Sequence, residues 1–300
     1  MWGVTLACFA AVQNFSGAVA IRFLLGVFEA AVSPGFALFT SQWYTQKEQV
    51  GRIGVWYSFN GFAQILGAVL AYGIAKGVEQ HGSTLATWRI IFLATGLLTV
   101  VIGIIFLFTV PDSQLNARFL KPEDRILAVE RVRVNRQGIG NKNFKFYQFK
   151  EALADPLTWA LFFFSLVGDI PNGGLTNFFS QLIVSFGYSD LEALLYGAPA
   201  GAVEAVTLIF GSWLATRYGH RLLIGGVTVL ISILGICLML FLPHSLKQGR
   251  LAGYYIMQAS PMCGVALLSL ISSNVAGYTK KTTVAAIYFI GYCVGNLIGT

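Results

Sequence analysis

The chain has 300 residues, of which 56% are hydrophobic, 14% aromatic and only 11% charged, with a mean hydropathy of +0.68. An average soluble domain carries about 25% charged residues, so a soluble globular protein is excluded, and a formal charge of +7 has to be explained by where the basic residues sit. Cys8, Cys237, Cys263 and Cys293 all fall inside apolar runs with no close pair, which excludes a disulfide framework or a cysteine metal centre; no cofactor and no metal are expected.

In chain order, the first apolar run, 1–12, is short of the roughly 20 residues that cross a bilayer. With no basic residue ahead of its core it makes a poor signal peptide, and it reads as the end of a helix whose start is missing. The runs 17–41, 52–75 and 89–110 each have spanning length. A charged gap at 111–155 follows. After the breaker Pro111-Asp112, the segment LKPEDRILAVERVRVNR places Pro122 at a first helical position, with Ile126, Val129 and Val132 against Arg125, Glu130, Arg131 and Arg133. That is an amphipathic helix under the membrane, or a solvated linker between two bundles. The runs 157–183, 192–215, 222–242, 251–276 and 283–300 complete the chain. The expectation is an all-α polytopic membrane protein with about eight complete or near-complete transmembrane helices plus one partial helix. Its parts would be an N-terminal bundle at 1–110, a loop at 111–155 and a C-terminal bundle at 156–300.

Basic residues give the orientation. If the long gap is cytoplasmic, fifteen of the 20 basic residues lie on that side, Arg136 and Lys142 in the gap and Lys280 and Lys281 in a later loop among them. Lys76, Arg89, Lys247 and Arg250 lie on the other. The positive-inside rule therefore puts 111–155 in the cytoplasm, and the charge is an inner-leaflet signature with no nucleic-acid partner implied. His81, His220 and His244 all fall in loops, so no buried imidazole offers itself as a base, and an enzyme is not expected.

Four charges inside apolar runs carry the functional signal: Arg22, Glu29, Asp169 and Glu204. Each costs roughly 2.5–3.5 kcal/mol at mid-helix and needs a partner or a wet cavity. Arg22 and Glu29 are seven apart, nearly two turns, hence on one side of a helix about 10 Å apart. They suit a cation that holds a carboxylate and an acid that carries a proton, or else a static charge network. In 157–183 the sequence Asp169-Ile170-Pro171-Asn172-Gly173-Gly174 predicts a break at mid-span, where transporters place substrate. Asn172, Asn177 and Gln181 are then candidate substrate contacts, and the same break can serve as a kink for rocking. Glu204 is a second proton site or an ion-pair partner. Gly291, Gly295 and Gly299 repeat at GxxxG spacing and predict close helix packing, with Asn296 beside them able to bridge that interface.

The spacing of Arg22, Gly26, Glu29, Pro34 and Gly35 resembles the fourth-helix motif of the anion:cation symporter family within the major facilitator superfamily. WRIIF at 88–92, VPDSQLNARFL at 110–120, DPLTW at 155–159, IPNGGLTNFFSQLIVSFGYS at 170–189, GAPAG at 197–201 and SNVAGYTKKTTVAAIYFIGYCVGNLIG at 273–299 are similar to its fungal allantoate permease branch. The resemblance covers the whole chain, as the latter part of helix 3 through most of helix 11 of a twelve-helix fold. It implies that Arg22 handles an anionic substrate and that Glu29 couples it to a proton. The SWLATRYGHR loop at 212–221 keeps Arg217, Gly219 and Arg221 of the superfamily's basic-loop pattern, but has Ser212 and Thr216 where glycine and aspartate are expected. It reads as a charge-relay loop or as a short turn with basic anchors. What the resemblance implies is a monomeric, proton-coupled symporter of a small organic anion (allantoate, ureidosuccinate, nicotinate, pantothenate or a similar carboxylate) in the plasma membrane. The alternatives are a non-transporting nutrient sensor on the same fold, or an inactive fragment of such a transporter.

Overall fold

The computed structural model describes residues 1–135 and 143–300; Arg136 and Lys142, counted above on the basic side, lie outside the described residues. Every regular element among the described residues is helical. Seven stretches are long and apolar enough to cross a membrane, or eight if the bent pair Phe146–Ala154 and Pro156–Ser185, which meet at 64°, is one span.

Helix α1 (Trp2–Cys8) runs into one 3-10 turn. The 17–41 run, expected as a single helix, is two: α2 (Phe15–Glu29) and α3 (Val32–Trp43). Pro34 sets the position of the break, because its ring excludes the carbonyl four residues back, that of Ala30, and it has no N–H to give it. The 52–75 run is α4 (Gln46–Tyr57) and α5 (Phe59–His81), with Ser58 between them turning its hydroxyl onto the Val55 carbonyl at 2.7 Å. α6 (Thr87–Thr109) is one apolar rod, and α7 (Pro122–Val132) opens at Pro122. Asp155 separates α8 (Phe146–Ala154) from α9 (Pro156–Ser185) and caps the latter, its carboxylate accepting from the Leu157 N–H at 3.0 Å.

α9 corrects the expected break at 169–174. Pro171 sits inside a continuous helix, and the residue that leaves helical geometry is Phe178, at φ −114° and ψ 15°. Glycine packing against the last helix holds α9 on both sides of Pro171, as described below. The ladder gives way where Asn177 turns its own amide onto the Gly173 carbonyl at 2.9 Å, a side chain inserted into the helix hydrogen-bond pattern.

α10 (Asp190–Tyr196) and α11 (Ala198–Tyr218) follow, the second ending at Gly219 in the left-handed conformation with φ 77°. Then come α12 (Arg221–Phe241), α13 (Lys247–Met257), α14 (Pro261–Asn274) and α15 (Tyr278–Ile298). α15 begins ahead of the apolar run at 283, so Lys280 and Lys281 are helical residues and not loop residues as expected.

The chain divides into two compact units, Met1–Phe36 with Val69–Glu130, and Ala37–Ala68 with Arg131–Thr300. In the first, α1 and α6 touch through glycine: a Cβ on Gly3 would stand 2.9 Å from the Gly96 carbonyl, and one on Gly96 2.5 Å from the Ala7 nitrogen. The apolar side chains of α6 point outward, Leu107 and Phe108 among them, as lipid-facing surfaces do when packing, not water exclusion, joins helices. In the second unit Ile53, Leu208, Met262, Val265, Val284 and Tyr288 form one buried cluster, and Ile183, Phe186, Met239 and Tyr254 belong to another. There α15 lies along α9 on a glycine stripe. A Cβ on Gly291 would stand 2.6 Å from the Phe162 carbonyl, and on Gly295 or Gly299 it would collide with the carbonyls of Leu166 and Ile170. From the other side, a Cβ on Gly173 would collide with the Asn296 carbonyl, and one on Gly174 would stand 3.0 Å from that of Gly299. The steps of four on both helices mean the two run parallel and in register.

Candidate functional site

Arg22 stands two turns into α2, whose start is fixed by the Asn14 side chain accepting from the Gly17 N–H at 2.8 Å. Its guanidinium lies over the rings of Phe9, at 5.0 Å, and Phe92, at 5.9 Å. It makes no ion pair among the described residues. Around it is an open cleft of about 470 Å³ whose other lining residues include Gln13, Asn14, Phe15 and Trp88. Arg89 borders this place too, donating to the Val12 carbonyl at 3.2 Å and lying over the Trp88 ring. Guanidinium stacking on aromatic faces leaves the N–H fork at the ring edge, where it can meet a planar anion. Glu29 is the last residue of α2, on the same unbroken helix, and is exposed. Pro34 and Gly35 are in the first turn of α3, where Gly35 has open space around it.

The other expected residues belong to the second unit. On α9, Asp169 accepts from the Ser165 hydroxyl at 3.0 Å, and Asn172 donates to the Asn296 side-chain carbonyl at 2.8 Å. Asn177 is engaged with Gly173 and with the Thr300 hydroxyl, while Gln181, a turn further on, is exposed. Asp169, Asn172 and Asn296 therefore come together along the α9–α15 seam. Glu204 on α11 is buried and accepts from the Gln64 side-chain amide of α5; its partner is neutral. Arg217 is exposed, whereas Arg221 donates to the Ser269 carbonyl and hydroxyl and to the Ser273 hydroxyl.

Two participants were missed from the sequence. Gln64 is an uncharged amide in an apolar run, a weaker signal than a charge but the one that would have found it. Lys281 looked like a loop cation beside Lys280; it is buried in α15 and donates to the Ser272 carbonyl at 2.6 Å. With Arg221 and with Gln46, which donates to the Ser273 carbonyl, it collects on the carbonyl end of α14, where a helix attracts positive charge. Lys280 instead bridges Glu151 at 2.8 Å and Asp155 at 2.9 Å. Its hydrogen bond, followed by that of the Leu157 N–H, holds the Asp155 carboxyl below the ordinary carboxylate range.

Helices of spanning length, glycine-packed and carrying a few enclosed charges, define an integral membrane protein. Residues 1–300 match the Major Facilitator Superfamily throughout, and the chain belongs to that family. It is 46% identical over its whole length to the uncharacterized transporter C417.10 of Schizosaccharomyces pombe, of which it covers 58%. It is 37% identical to the allantoate permease of Saccharomyces cerevisiae, again along all of this chain and 56% of that one. Among solved structures, the proton:xylose symporter XylE bound to 6-bromo-6-deoxy-D-glucose shares the fold, with a TM-score of 0.67 at 16% identity over 98% of this chain and 69% of that one. The chain spans a little over half the length of the curated relatives it matches. These relatives are transporters and not enzymes, as expected, and the partial all-helical fold of this superfamily is the one that the resemblance implied.

Proposed function

We propose that this chain works in secondary active transport, as a proton-coupled symporter of a small organic anion across the plasma membrane, with 111–155 on the cytoplasmic side and 1–110 and 156–300 as two bundles that rock about the substrate. The observation that carries this is Arg22: a guanidinium in an open aromatic cleft, with rings beneath it and no acidic partner among the described residues. A carboxylate arriving there gains a bidentate, charge-assisted pair without having to displace a resident acid. Glu29, on the same helix, takes up the coupling proton, and Asp169 and Glu204 are the further acids available to it. Asn172 and Asn177 already have partners, so a substrate reaching them exchanges hydrogen bonds, while Gln181 is free to make one. Pro34 and Gly35 are the point about which a helix bends, whereas Pro171, Gly173 and Gly174 stand in the stretch of α9 that α15 holds, ahead of the departure from helical geometry at Phe178. Gly291, Gly295 and Asn296 keep α15 on α9, and Arg217, Gly219 and Arg221 shape the cytoplasmic turn.

One relative is named an allantoate permease, which directs the choice of substrates. The test is uptake of labelled allantoate, ureidosuccinate, nicotinate and pantothenate by cells expressing the protein, at acidic and at neutral external pH. Accumulation that is stronger at acidic pH and lost in Glu29→Gln supports the reading. Accumulation indifferent to pH and to Glu29→Gln removes the proton from it, and binding without accumulation turns it towards a sensor.

A further inference from the structure

Glu204 lies in a seam of small residues between α4–α5 and α11. A Cβ on Gly61 would collide with the Gly201 carbonyl and one on Gly201 with the Gly61 carbonyl; one on Gly54 would collide with the Ser212 hydroxyl, and one on Gly51 would stand 2.8 Å from that of Thr216. Beside the Gly61–Gly201 crossing, Glu204 is only 4% exposed, and the Gln64 Nε2 donates to its Oε2 at 2.5 Å. Among the described residues nothing positive faces it. Of the cations on α11 and the elements packed around it, Arg217 is exposed in the last turn of α11, Lys76 of α5 lies over the Tyr72 ring and Arg52 over the Tyr44 ring, Arg221 is held by Ser269 and Ser273, Lys247 by the Gly187 carbonyl and Arg250 by the Met239 carbonyl. Lys47 is at the far end of α4, more than four turns from Gln64 along the chain. The acids Glu48, paired with Arg131, and Glu192, paired with Ser189, are engaged at helix starts, as Asp190 begins α10. The titratable groups that do interact with Glu204 are the phenols Tyr57 of α4 and Tyr254 of α13; Cys263 of α14 interacts instead with Asp169.

A carboxylate enclosed without a cation is expensive, and protonation removes the charge. The partner fits that state. A carboxylic acid and a primary amide are complementary, the acid O–H donating to the amide carbonyl while its other oxygen accepts from the amide N–H; a carboxylate can only accept. We propose that Glu204 binds a proton from water while the seam is open, that the protonated acid paired with Gln64 is what lets α4–α5 close on α11, and that return of the proton to water as the seam opens drives the two apart. This rests on the symport reading and assigns its coupling step to the α5–α11 seam, in addition to Glu29.

The test needs no substrate. Hydrogen exchange of the backbone amides of 46–64 and 198–218 is followed against pH in the full chain held in lipid nanodiscs, with intrinsic exchange rates divided out. Above the midpoint the open, deprotonated state grows, so protection in the native protein should fall about tenfold per pH unit. Glu204→Gln, permanently neutral, should stay protected at every pH, while Glu204→Asp, which keeps a titrating carboxyl, should still lose protection. A Glu204→Gln curve that follows the native one overturns the proposal, as does native protection that ignores pH. Should Glu204→Gln not fold, pH-difference infrared spectra decide: the native protein should show a protonated-carboxyl band that fades as pH rises and moves in Glu204→Asp, and its absence at all pH overturns the proposal. Failure of anion uptake, by contrast, removes the symport reading and leaves these curves untouched.

Discussion

Arg22 is exposed in its cleft and stacks on the Phe9 and Phe92 rings, and that choice of partner has a consequence for specificity that can be read. If the fork captures a carboxylate, losing it forfeits a charged hydrogen bond of about 1.5–3 kcal/mol, so Arg22→Ala should cut initial uptake of a transported anion by about ten- to a hundredfold. Arg22→Lys should recover little of it, because an ammonium has neither the fork nor the flat face; a lysine variant with native uptake would mean that charge alone is needed. Lys281 poses a different question, since it is buried and yet points only at a carbonyl. Lys281→Met removes a desolvated charge, which stabilises, but also takes a charged donor from the end of α14, which costs about 1.5–3 kcal/mol. The second effect should win, and the thermal midpoint in detergent should fall; a rise would show that desolvation dominates. Arg22 and Glu204 were legible because a charge in an apolar run stands out from its neighbours. Gln64 and Lys281 were not, the first because an amide costs less than a charge, the second because helix boundaries cannot be taken from hydropathy when a helix starts with polar residues.

At the level of elements, one rule accounts for three breaks the apolar runs conceal. Pro34, Pro199 and Pro261 each stand four residues beyond the end of the preceding helix or its last turn, at Ala30, Leu195 and Met257, where a proline ring meets the carbonyl it cannot satisfy. Pro171 obeys the same chemistry but is overruled by packing, because the α9–α15 stripe fixes α9 on both sides of it. That makes the stripe testable. Gly295→Leu must push α15 off the Leu166 carbonyl, and overpacking of this kind costs about 1–3 kcal/mol or more, so the yield of monodisperse protein should collapse. Gly26→Ala, where a Cβ meets nothing within 4 Å, should leave it unchanged; equal yields would mean the seam tolerates separation. The α8–α9 corner gives a pH signature as well. Because Lys280 and the Leu157 N–H lower the Asp155 pKa in the folded state, its contribution is fully present above the unfolded-state carboxylate pKa. It is lost as pH falls through the folded value. Melting midpoints of the native protein should therefore fall as the medium becomes more acidic than an ordinary carboxylate pKa, and by a smaller amount in Asp155→Asn.

For the whole molecule the decisive asymmetry is that of its basic residues, because a helix bundle of this composition has apolar sides all round and only its ends can tell one face of a bilayer from the other. Arg118, Lys121, Arg125, Arg131 and Arg133 stand in the stretch after α6, whereas the α5–α6 connection of 82–86 has none. Translocating the first group would carry at least five cations across, while the second crosses without charge, so insertion should keep the first inside. Cys8, Cys237, Cys263 and Cys293 are four native cysteines, two of them exposed, so a background with all four replaced by alanine is needed before a reporter is placed. In that background Ser83→Cys should react with an impermeant maleimide on intact cells, and Arg118→Cys only after the cells are opened. The reverse pattern would invert the molecule and place the cations on α14, Arg221 and Lys281, on the outer face, where no positive-inside argument accounts for them and their grip on the helix end would have to stand alone as the reason for their presence.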